Sequence, residues 1–286
     1  MIHRPGGLAD AGPWAEVVAE ASPYLVQDQA SETHEMQHDP PGARRWVVED
    51  AGRIVALART VEYDGEEHTS IRLMVRPGHR RRGIGRTLLQ LALTQGVRRP
   101  TLHTIVEDDE DSRAAATRLG FELTRTFHMS AVDPRTVEPP PEDDRVRPLS
   151  RFDHQELWEA HNAVVGDDPS GLSLQVTFEE WLGDWRDPRA RPDLSTGIVE
   201  AGRLVAFSRL GAAGPRAWSD MTGTLPTARG RGLGLLAKQH TLAKAARAGI
   251  ERCFAGNDGD NVAMLGINRR LGYQPFASPR LGVMAL

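Results

Sequence analysis

The chain has 286 residues, of which 40% are hydrophobic and 26% are charged, and its formal net charge is −4 at pH 7. This composition is that of a folded globular protein and excludes a disordered or fibrous chain. The small net charge gives no reason to expect nucleic acid as a partner, and the length is typical of two domains of ordinary size.

Two features of the chain concern its compartment. The N-terminal segment lacks an apolar stretch behind basic residues, and nowhere do eighteen apolar residues follow one another, so we predict no contact with a membrane. Cys253 is the only cysteine, which excludes an internal disulfide and favours a reducing compartment. We expect a cytoplasmic protein, monomeric or homodimeric, in which Cys253 is a core thiol.

An internal repeat organises the chain. Three pairs of segments recur in the same order about 150 residues apart: 49–59 with 199–209, 80–85 with 229–234, and 119–121 with 271–273. The first pair places Ala-Gly-Arg between two apolar runs, which predicts a β-hairpin. Three matches at one spacing indicate a duplicated domain.

The repeat predicts an α+β protein made of two tandem domains. Residues 1–136 form the first domain, the proline-rich and acidic segment 137–144 is the linker, and residues 145–286 form the second. In the second copy we predict strands at 145–149, 196–200, 204–210, 217–224, 252–256 and 273–276. The helix after the second glycine motif is expected to expose a basic face and to bury Leu235, Leu242, Ala246 and Ile250.

Each glycine motif joins a strand to a helix. Glycine lets the backbone turn and approach a ligand closely, while the first N–H groups of the helix have no internal partner and point towards an anion. The helix dipole and the flanking arginines add positive potential. Both motifs therefore predict a cradle for a pyrophosphate group.

Two other phosphate motifs are disfavoured. Neither loop has the Gly-Lys-Ser/Thr of a P-loop. Residues 232–237 fit the dinucleotide pattern G-x-G-x-x-A in form, but that pattern follows its strand directly, whereas here Pro226 and the arginine loop intervene.

The residues Arg80-Arg-Arg-Gly-Ile-Gly85 and Arg229-Gly-Arg-Gly-Leu-Gly234 resemble the signature of the GNAT acetyltransferase superfamily, and Leu271-Gly-Tyr273 resembles the end of that family's later motif. The resemblance spans both halves. It implies two GNAT-like domains, each a mixed, mainly antiparallel sheet flanked by helices, with a parallel strand pair that splays apart to admit acetyl-CoA. It also implies these coenzyme-binding residues: Val75, Arg80, Arg81, Arg82, Gly83, Ile84, Gly85, Thr224, Arg229, Gly230, Arg231, Gly232, Leu233, Gly234 and Asn261.

The two copies differ where the resemblance places the chemistry. Asp220 lies four residues before Thr224, which predicts the same strand face, and its carboxylate is our candidate for taking the proton of the amine. Asn268 stands where many family members carry a tyrosine, and its amide could hydrogen-bond a thiolate. The first copy has Ile71 and Ala116 at these places, so we predict that the second domain is the catalytic one.

These residues predict an acetyl-CoA-dependent N-acetyltransferase that acts on a primary amine of a small molecule. An antibiotic-modifying, aminoglycoside-like N-acetyltransferase and a non-catalytic acyl-CoA-binding or sensing protein stay open as alternatives. Trp181 and Trp185 lie one helical turn apart and either wall a pocket or pack in the core. The pair His34 and His38 lacks a further ligand, and we expect no metal.

Overall fold

The computed structural model describes residues 1–63, 65–166 and 175–286. They divide into two compact units: unit 1 comprises Met1–Phe127 and Ala277–Leu286, and unit 2 comprises His128–Phe276. The predicted linker, 137–144, therefore lies within unit 2, and the last ten residues of the chain return to unit 1.

The strands of the described residues are, in chain order, β1 (Ile2–Pro5), β2 (Arg44–Asp50), β3 (Arg53–Val61), β4 (His68–Val75), β5 (Thr101–Val106), β6 (Glu122–Val132), β7 (Val146–Pro148), β8 (Thr196–Glu200), β9 (Arg203–Ala213), β10 (Arg216–Thr224), β11 (Arg252–Asp258), β12 (Gln274–Ala277) and β13 (Arg280–Ala285). The α-helices are α1 (Ala11–Ala21), α2 (Gln29–Gln37), α3 (Ile84–Gln95), α4 (Glu110–Leu119), α5 (His154–Val165), α6 (Phe178–Trp185), α7 (Leu233–Arg247) and α8 (Val262–Arg270).

Each unit is built on a mixed sheet. In unit 1 the strand order is β1-β2-β3-β4-β5-β13, followed by the first part of β6. In unit 2 the order is β7-β8-β9-β10-β11, followed by the last part of β6. Neighbouring strands are antiparallel within β1 to β4 and within β7 to β10, and β13 is antiparallel to β5 and β6. The pairs β4 with β5 and β10 with β11 are parallel. The predicted fold class, two GNAT-like units of mainly antiparallel sheet with one parallel pair each, is confirmed.

The repeated hairpins have the same turn in both units. Ala51 and Gly52 connect β2 to β3 with φ angles of 50° and 77°, and Ala201 and Gly202 connect β8 to β9 with 49° and 77°. Two successive positive φ angles define the type I′ turn, whose twist suits a two-residue hairpin. The local Ala-Gly-Arg pattern was therefore a sound predictor of these hairpins.

The buried face of α7 differs from the prediction. Leu242 is buried as expected, and so is Ile250, which lies beyond the end of α7 at Arg247. Leu235 and Ala246 are only partly buried. Lys238, which the sequence places on the polar face, is only 2% exposed. The helix is thus rotated so that a lysine enters the core of unit 2.

The other differences concern the end of the chain. The predicted strand 273–276 corresponds to β12, but β13 was not predicted. Its partners are β5 and β6, which lie far away in the sequence, and strand pairing over such a distance leaves no local pattern. Among the described residues, every helix is too short or too polar to cross a bilayer.

Candidate active site

In each unit the parallel strand pair opens into a wedge. Within the described residues, β4 and β5 pair from His68 with Thr101 to Ser70 with His103, and β10 and β11 pair from Arg216 with Arg252 to Trp218 with Phe254. Beyond these short registers the strands continue without pairing to each other. The opening leads to the glycine loop that follows β4 or β10.

Both glycine loops form the predicted cradle. Gly83 and Gly232 precede α3 and α7 in the left-handed conformation, with φ angles of 81° and 75°. A Cβ atom added at either position would meet no atom within 4 Å, so the space before each helix is open. The first N–H groups of each helix face this space, and the geometry suits a phosphate group.

The arginines of the two loops contact backbone oxygens and, in unit 1, nearby carboxylates. In unit 1 Arg80 and Arg81 lie 3.3 and 3.6 Å from the carboxylates of Asp109 and Asp111, at the start of α4. Carboxylates at this point compete with a bound phosphate for the arginines. Arg80 also donates to the backbone oxygen of Val75 at 3.4 Å, just as Arg229 of unit 2 donates to that of Thr224 at 3.2 Å.

The two glycine loops also differ in backbone strain at one pair of equivalent positions. Arg81 has a φ angle of 63°, whereas the corresponding Gly230 has 75°. A left-handed conformation costs a residue with a side chain on the order of 1 kcal/mol, and glycine adopts it freely.

The last arginine of each loop is bound in the same way in both units. Arg82 lies 3.9 Å from the carboxylate of Asp50, and Arg231 lies 2.7 Å from that of Glu200. Both carboxylates belong to the strand that precedes the hairpin turn.

Asp220 occupies a β-bulge. The pairing of β10 with β9 shifts by one residue between Ser219 and Met221, so Asp220 is the extra residue. The bulge lies directly after Trp218, the last residue of β10 that pairs with β11. The inserted residue and the opening of the wedge therefore coincide.

The bulge corrects the predicted position of Asp220. The alternation of a regular strand would place it on the same face as Thr224. That face is covered by α7, because the Oγ1 of Thr224 lies 3.1 Å from the point that a Cβ atom on Gly234 would occupy. Instead its carboxylate lies 3.9 Å from the Nε of Arg209, whose guanidinium stands 5.4 Å from the ring of Trp185 in α6. Asp220 thus faces α6, on the opposite side of the sheet from α7.

The comparison of Asp220 with Ile71 was also wrong. Ile71 pairs with Thr60, and the matching residue of β9, Leu210, pairs with Ser219. Ser219 is therefore the counterpart of Ile71. Asp220 has no counterpart, because the register of β3 and β4 shows no shift.

The carboxylate of Asp220 lies in a mixed environment. Its side chain is 33% exposed. The surrounding protein atoms raise the pKa of Asp220, and the positive charges of Arg209 and Arg189 act in the opposite direction. On α5, burial first and the charge of Arg209 second lower the pKa of His161 to about 4, so the ring of His161 is neutral at neutral pH.

Asn268 belongs to a chain of buried polar groups. It is 3% exposed, its Oδ1 accepts a hydrogen bond from the Nζ of Lys238 at 2.6 Å, and its Nδ2 donates to the Oδ1 of Asn257 at 2.7 Å. Lys238 also lies 4.7 Å from the ring centre of Tyr273. The amide of Asn268 is thus already engaged on both sides.

The same sheet face of unit 1 is filled by charged groups. Arg59, the counterpart of Arg209, contacts the carboxylates of Glu35 and Asp39 at 2.5 and 2.6 Å. Asp39 follows α2, whereas Glu35 and Glu32 lie on it. Glu32 is fully buried, and burial together with the charge of Glu35 raises its pKa to about 7. Side chains from α2 thus cover the strand face that carries Asp220 in unit 2.

In unit 1 a partly buried glutamate lies at the end of β5, one of the two strands that form the wedge. Glu107, directly after β5, accepts hydrogen bonds from the hydroxyls of Ser22 and Tyr24. Burial raises the pKa of Glu107. The segment after α1 is thereby tied to the end of β5.

Comparisons with known proteins agree with this geometry. Residues 14–121, within unit 1, match the family described as the acetyltransferase (GNAT) family. The protein contains an acetyltransferase (GNAT) domain. GNAT acetyltransferases use acetyl-CoA as the acyl donor, and the predictions of a GNAT domain and of an acetyltransferase are confirmed.

Several relatives are similar to this chain over nearly its whole length. The mycothiol acetyltransferase of Thermobispora bispora is 27% identical over an alignment 284 positions long, which covers 95% of this chain and 94% of that protein. A tandem GNAT protein from the clavulanic acid biosynthesis pathway has the same fold, with a TM-score of 0.76, 21% identity and coverage of 99% and 98%. A GCN5-related N-acetyltransferase from Sphaerobacter thermophilus gives a TM-score of 0.73 at 19% identity, with coverage of 99% and 95%.

The other side chains that the sequence singled out cap a helix or pack in the core. The Oδ1 of Asn261 caps α8 by accepting from the N–H of Met264 at 3.1 Å. Trp181 lies in the core and stacks on Trp185 with ring centres 5.0 Å apart. Within the described part of the chain no group of three or more metal-ligating side chains occurs. Burial raises the pKa of the Cys253 thiol to about 11, as expected of a core thiol.

Two side chains and one backbone feature of the candidate site escaped the sequence analysis. Arg209 ends the repeated segment 199–209, so the repeat itself was a signal for it. Lys238 lies one turn after Gly234 and one before Leu242, a spacing that fits the buried face of α7. The bulge at Asp220 left no such trace, because the distance from the hairpin to the glycine loop is shorter in unit 2 than in unit 1.

The low pKa of His161 predicts a pH-dependent stability. Its pKa is about 4 in the folded protein and about 6.5 in an unfolded chain. Between these values the unfolded state binds a proton that the folded state does not, so the free energy of unfolding falls as the pH decreases from about 6.5 to about 4. We expect the variant His161→Gln to lose less stability over this range, measured by urea denaturation at a series of pH values.

The exposed His154 at the start of the same helix provides the control. We expect the variant His154→Gln to keep the parent's pH dependence. If His161→Gln also follows the parent curve, His161 is not the buried neutral group described here.

Proposed function

We propose that unit 2 transfers an acetyl group from acetyl-CoA to a primary amine of a small molecule, with Asp220 as the base. The observation that carries this proposal is the bulge, which places a carboxylate where β10 leaves β11. The same strand leads directly into the glycine cradle before α7. An anion site, an open strand edge and a base thus lie along one segment of chain.

The residues of unit 2 fit the coenzyme. The open cradle at Gly230 and Gly232 suits its pyrophosphate, and the positive charge of Arg229 stands beside it. The backbone of β10 up to Thr224 has unpaired groups along the wedge, which suit the amides of the pantetheine arm. When bound there, acetyl-CoA supplies the activated acetyl group.

Asp220 is suited to accept the proton of an incoming ammonium group. Partial burial raises its pKa, which brings the base closer to neutral pH and makes it a better proton acceptor. Arg209 at 3.9 Å keeps the carboxylate ionised. A neutral amine can then attack the acetyl carbon, and the thiolate of the coenzyme leaves.

Several features of unit 1 support its assignment as non-catalytic. Its β4 has no bulge and no residue equivalent to Asp220. The ion pairs of Arg59 occupy the sheet face on which an acceptor would bind. The family match within this unit reflects its fold and its glycine motif, which unit 1 retains without the polar groups of unit 2.

The relatives suggest a direction for the acceptor. Proteins named mycothiol acetyltransferase are similar to this chain over most of its length, and a mycothiol-type amine is therefore the first acceptor to test. An aminoglycoside acceptor, a cytoplasmic location and a monomeric or homodimeric state stay predictions.

A matched pair of variants tests which unit works. Gly83→Glu and Gly232→Glu place a carboxylate in equivalent cradles, both at positive φ and both with open space around the Cβ position. We expect Gly232→Glu to abolish release of free thiol from acetyl-CoA with an amine acceptor, and Gly83→Glu to retain it within about twofold, because only the cradle of unit 2 serves the reaction.

Two outcomes would contradict this proposal. Loss of thiol release in Gly83→Glu alone would assign the reaction to unit 1. Binding of acetyl-CoA by the parent protein without thiol release, across mycothiol-type amines, polyamines and aminoglycosides, would favour the sensing protein.

The position of Arg209 predicts a pH effect on catalysis. We expect Asp220→Asn to lower kcat/KM by about 100-fold or more, because the base is removed. In Arg209→Met the acid limb of the kcat/KM profile should move to higher pH, since loss of the positive charge raises the pKa of Asp220 further. If the acid limb reflects titration of the amine substrate instead, it would not move in Arg209→Met. That result would show that Asp220 is not the catalytic base.

A further inference from the structure

A cluster of five polar side chains fills a part of unit 2 that is apolar in unit 1. Its members are Lys238, Cys253, Asn257, Asn268 and Tyr273. Lys238 donates to Asn268 and lies against the ring of Tyr273, and the hydroxyl of Tyr273 lies 3.3 Å from the Sγ of Cys253. Asn268 donates to Asn257. We call this set the polar cluster.

The duplication supplies a residue-by-residue comparison. Lys238 and Leu89 are each five residues into their helix, α7 or α3, and Asn268 and Ala116 each precede the aromatic residue of the Leu-Gly-aromatic motif by five positions. The second pair of each parallel register contains Cys253 or Leu102. The complete set of counterparts in unit 1 is Leu89, Leu102, Val106, Ala116 and Phe121.

All five counterparts lie in the main hydrophobic core of unit 1. The fold therefore forms without polar groups at these positions. Burial of an ammonium group costs several kcal/mol unless its hydrogen bonds compensate, and among the described residues no carboxylate lies within ion-pairing distance of Lys238. Unit 1 folds without this free-energy cost, so the burial of Lys238 in unit 2 must serve something other than folding.

The hydrogen-bond directions provide one. An ammonium group can only donate, so Asn268 must turn its Oδ1 towards Lys238. Its Nδ2 then faces Asn257 and can only donate to Oδ1 there. Lys238 thereby fixes the direction of both amides, and the Nδ2 of Asn257 is the donor at the end of the chain.

This end lies at the wedge. Asn257 is on β11, three residues beyond Phe254, the last residue of β11 that pairs with β10. It is only half-buried. At its other side the cluster reaches the bulge, because the hydroxyl of Tyr273 is within hydrogen-bonding reach of Ser219, the residue before Asp220.

We propose that Lys238 is a positioning residue, which orients the amides of Asn268 and Asn257 so that N–H donors face the sulfur atom of coenzyme A in the wedge of unit 2. This inference rests on the proposed function of unit 2. A thiolate that leaves an acetyl group carries a full negative charge, and preoriented N–H donors stabilise such a charge. Burial lowers the pKa of Lys238 to about 8, so the ammonium form persists at neutral pH.

The residues of unit 1 define the variants. Lys238→Leu and Asn268→Ala introduce the unit 1 residues singly, and the triple variant Lys238→Leu, Asn257→Val, Asn268→Ala rebuilds the apolar packing that unit 1 already tolerates. Lys244→Leu is the control, because Lys244 is a second partly buried lysine of α7 whose Nζ binds Thr196 at 3.0 Å, outside the polar cluster.

We expect Lys238→Leu to lower kcat by about 10- to 100-fold, with KM for acetyl-CoA within about twofold, as for residues that orient a reacting group. The double variant of Lys238 and Asn268 should be no slower than Asn268→Ala, because the two residues act through one chain. Lys244→Leu should keep the parent kcat. Additive losses, or a triple variant that folds and turns over at the parent rate, would overturn the inference.

A second readout does not depend on turnover. In the parent protein, addition of coenzyme A should shift the side-chain amide resonances of Asn257 and Asn268, and these shifts should disappear in Lys238→Leu. Unchanged amide resonances in the parent would overturn the inference by themselves. Failure of the proposed function would show differently, as thiol release that survives Gly232→Glu.

Discussion

The insertion of one residue into β10 determines how the two units differ. A regular strand pairs along its whole length, and unit 1 keeps the register of β3 and β4 through Ile71. In unit 2 the bulge between Ser219 and Met221 interrupts the ladder, and a bulge increases the local twist of its strand. The parallel pair opens after three residue pairs in both units, so the effect peculiar to the bulge is that it directs the inserted carboxylate of Asp220 to the side of α6.

The neighbours of Asp220 follow from this change. Arg209 ends a segment that both units share, but its counterpart Arg59 is bound by Glu35 and Asp39 of unit 1. In unit 2 the same guanidinium lies beside Asp220 and Trp185. One conserved position of the repeat thus contributes to an internal ion-pair network in one unit and to a candidate active site in the other.

The core behind the wedge shows the same division. Unit 1 packs leucine, valine, alanine and phenylalanine where unit 2 buries lysine, asparagine, cysteine and tyrosine and half-buries a second asparagine. An apolar core of this shape costs less free energy to form, because buried polar groups must all find hydrogen-bond partners. The polar core therefore indicates selection for something other than stability, and its hydrogen-bond chain ends at the wedge.

Much of this protein could be predicted from local patterns. The hairpins, the glycine loops and the strand and helix order depend on neighbouring residues, and the duplication allowed each pattern to be checked against a second copy. The position of β13 depends on pairing across the sequence. The side of the sheet that Asp220 faces depends on a one-residue register shift, which a strict period of two cannot represent.

The misplacement of Lys238 has a related cause. A lysine in an amphipathic pattern is ordinarily counted with the polar face, and only the partners at its amine, Asn268 and the ring of Tyr273, make its burial possible. Those partners come from α8 and from the residue after it. The environment that permits the exception is therefore created by tertiary packing.

The bulge can be tested by removing it. Deletion of Asp220 gives β10 the residue count of β4, so that it can take the regular register of unit 1 while the glycine cradle stays intact. The account predicts a protein that folds with the parent's circular dichroism spectrum, binds acetyl-CoA with an affinity close to that of the parent, and releases thiol at least about 100-fold more slowly. A folded deletion variant that acetylates its amine at the parent rate would contradict the account.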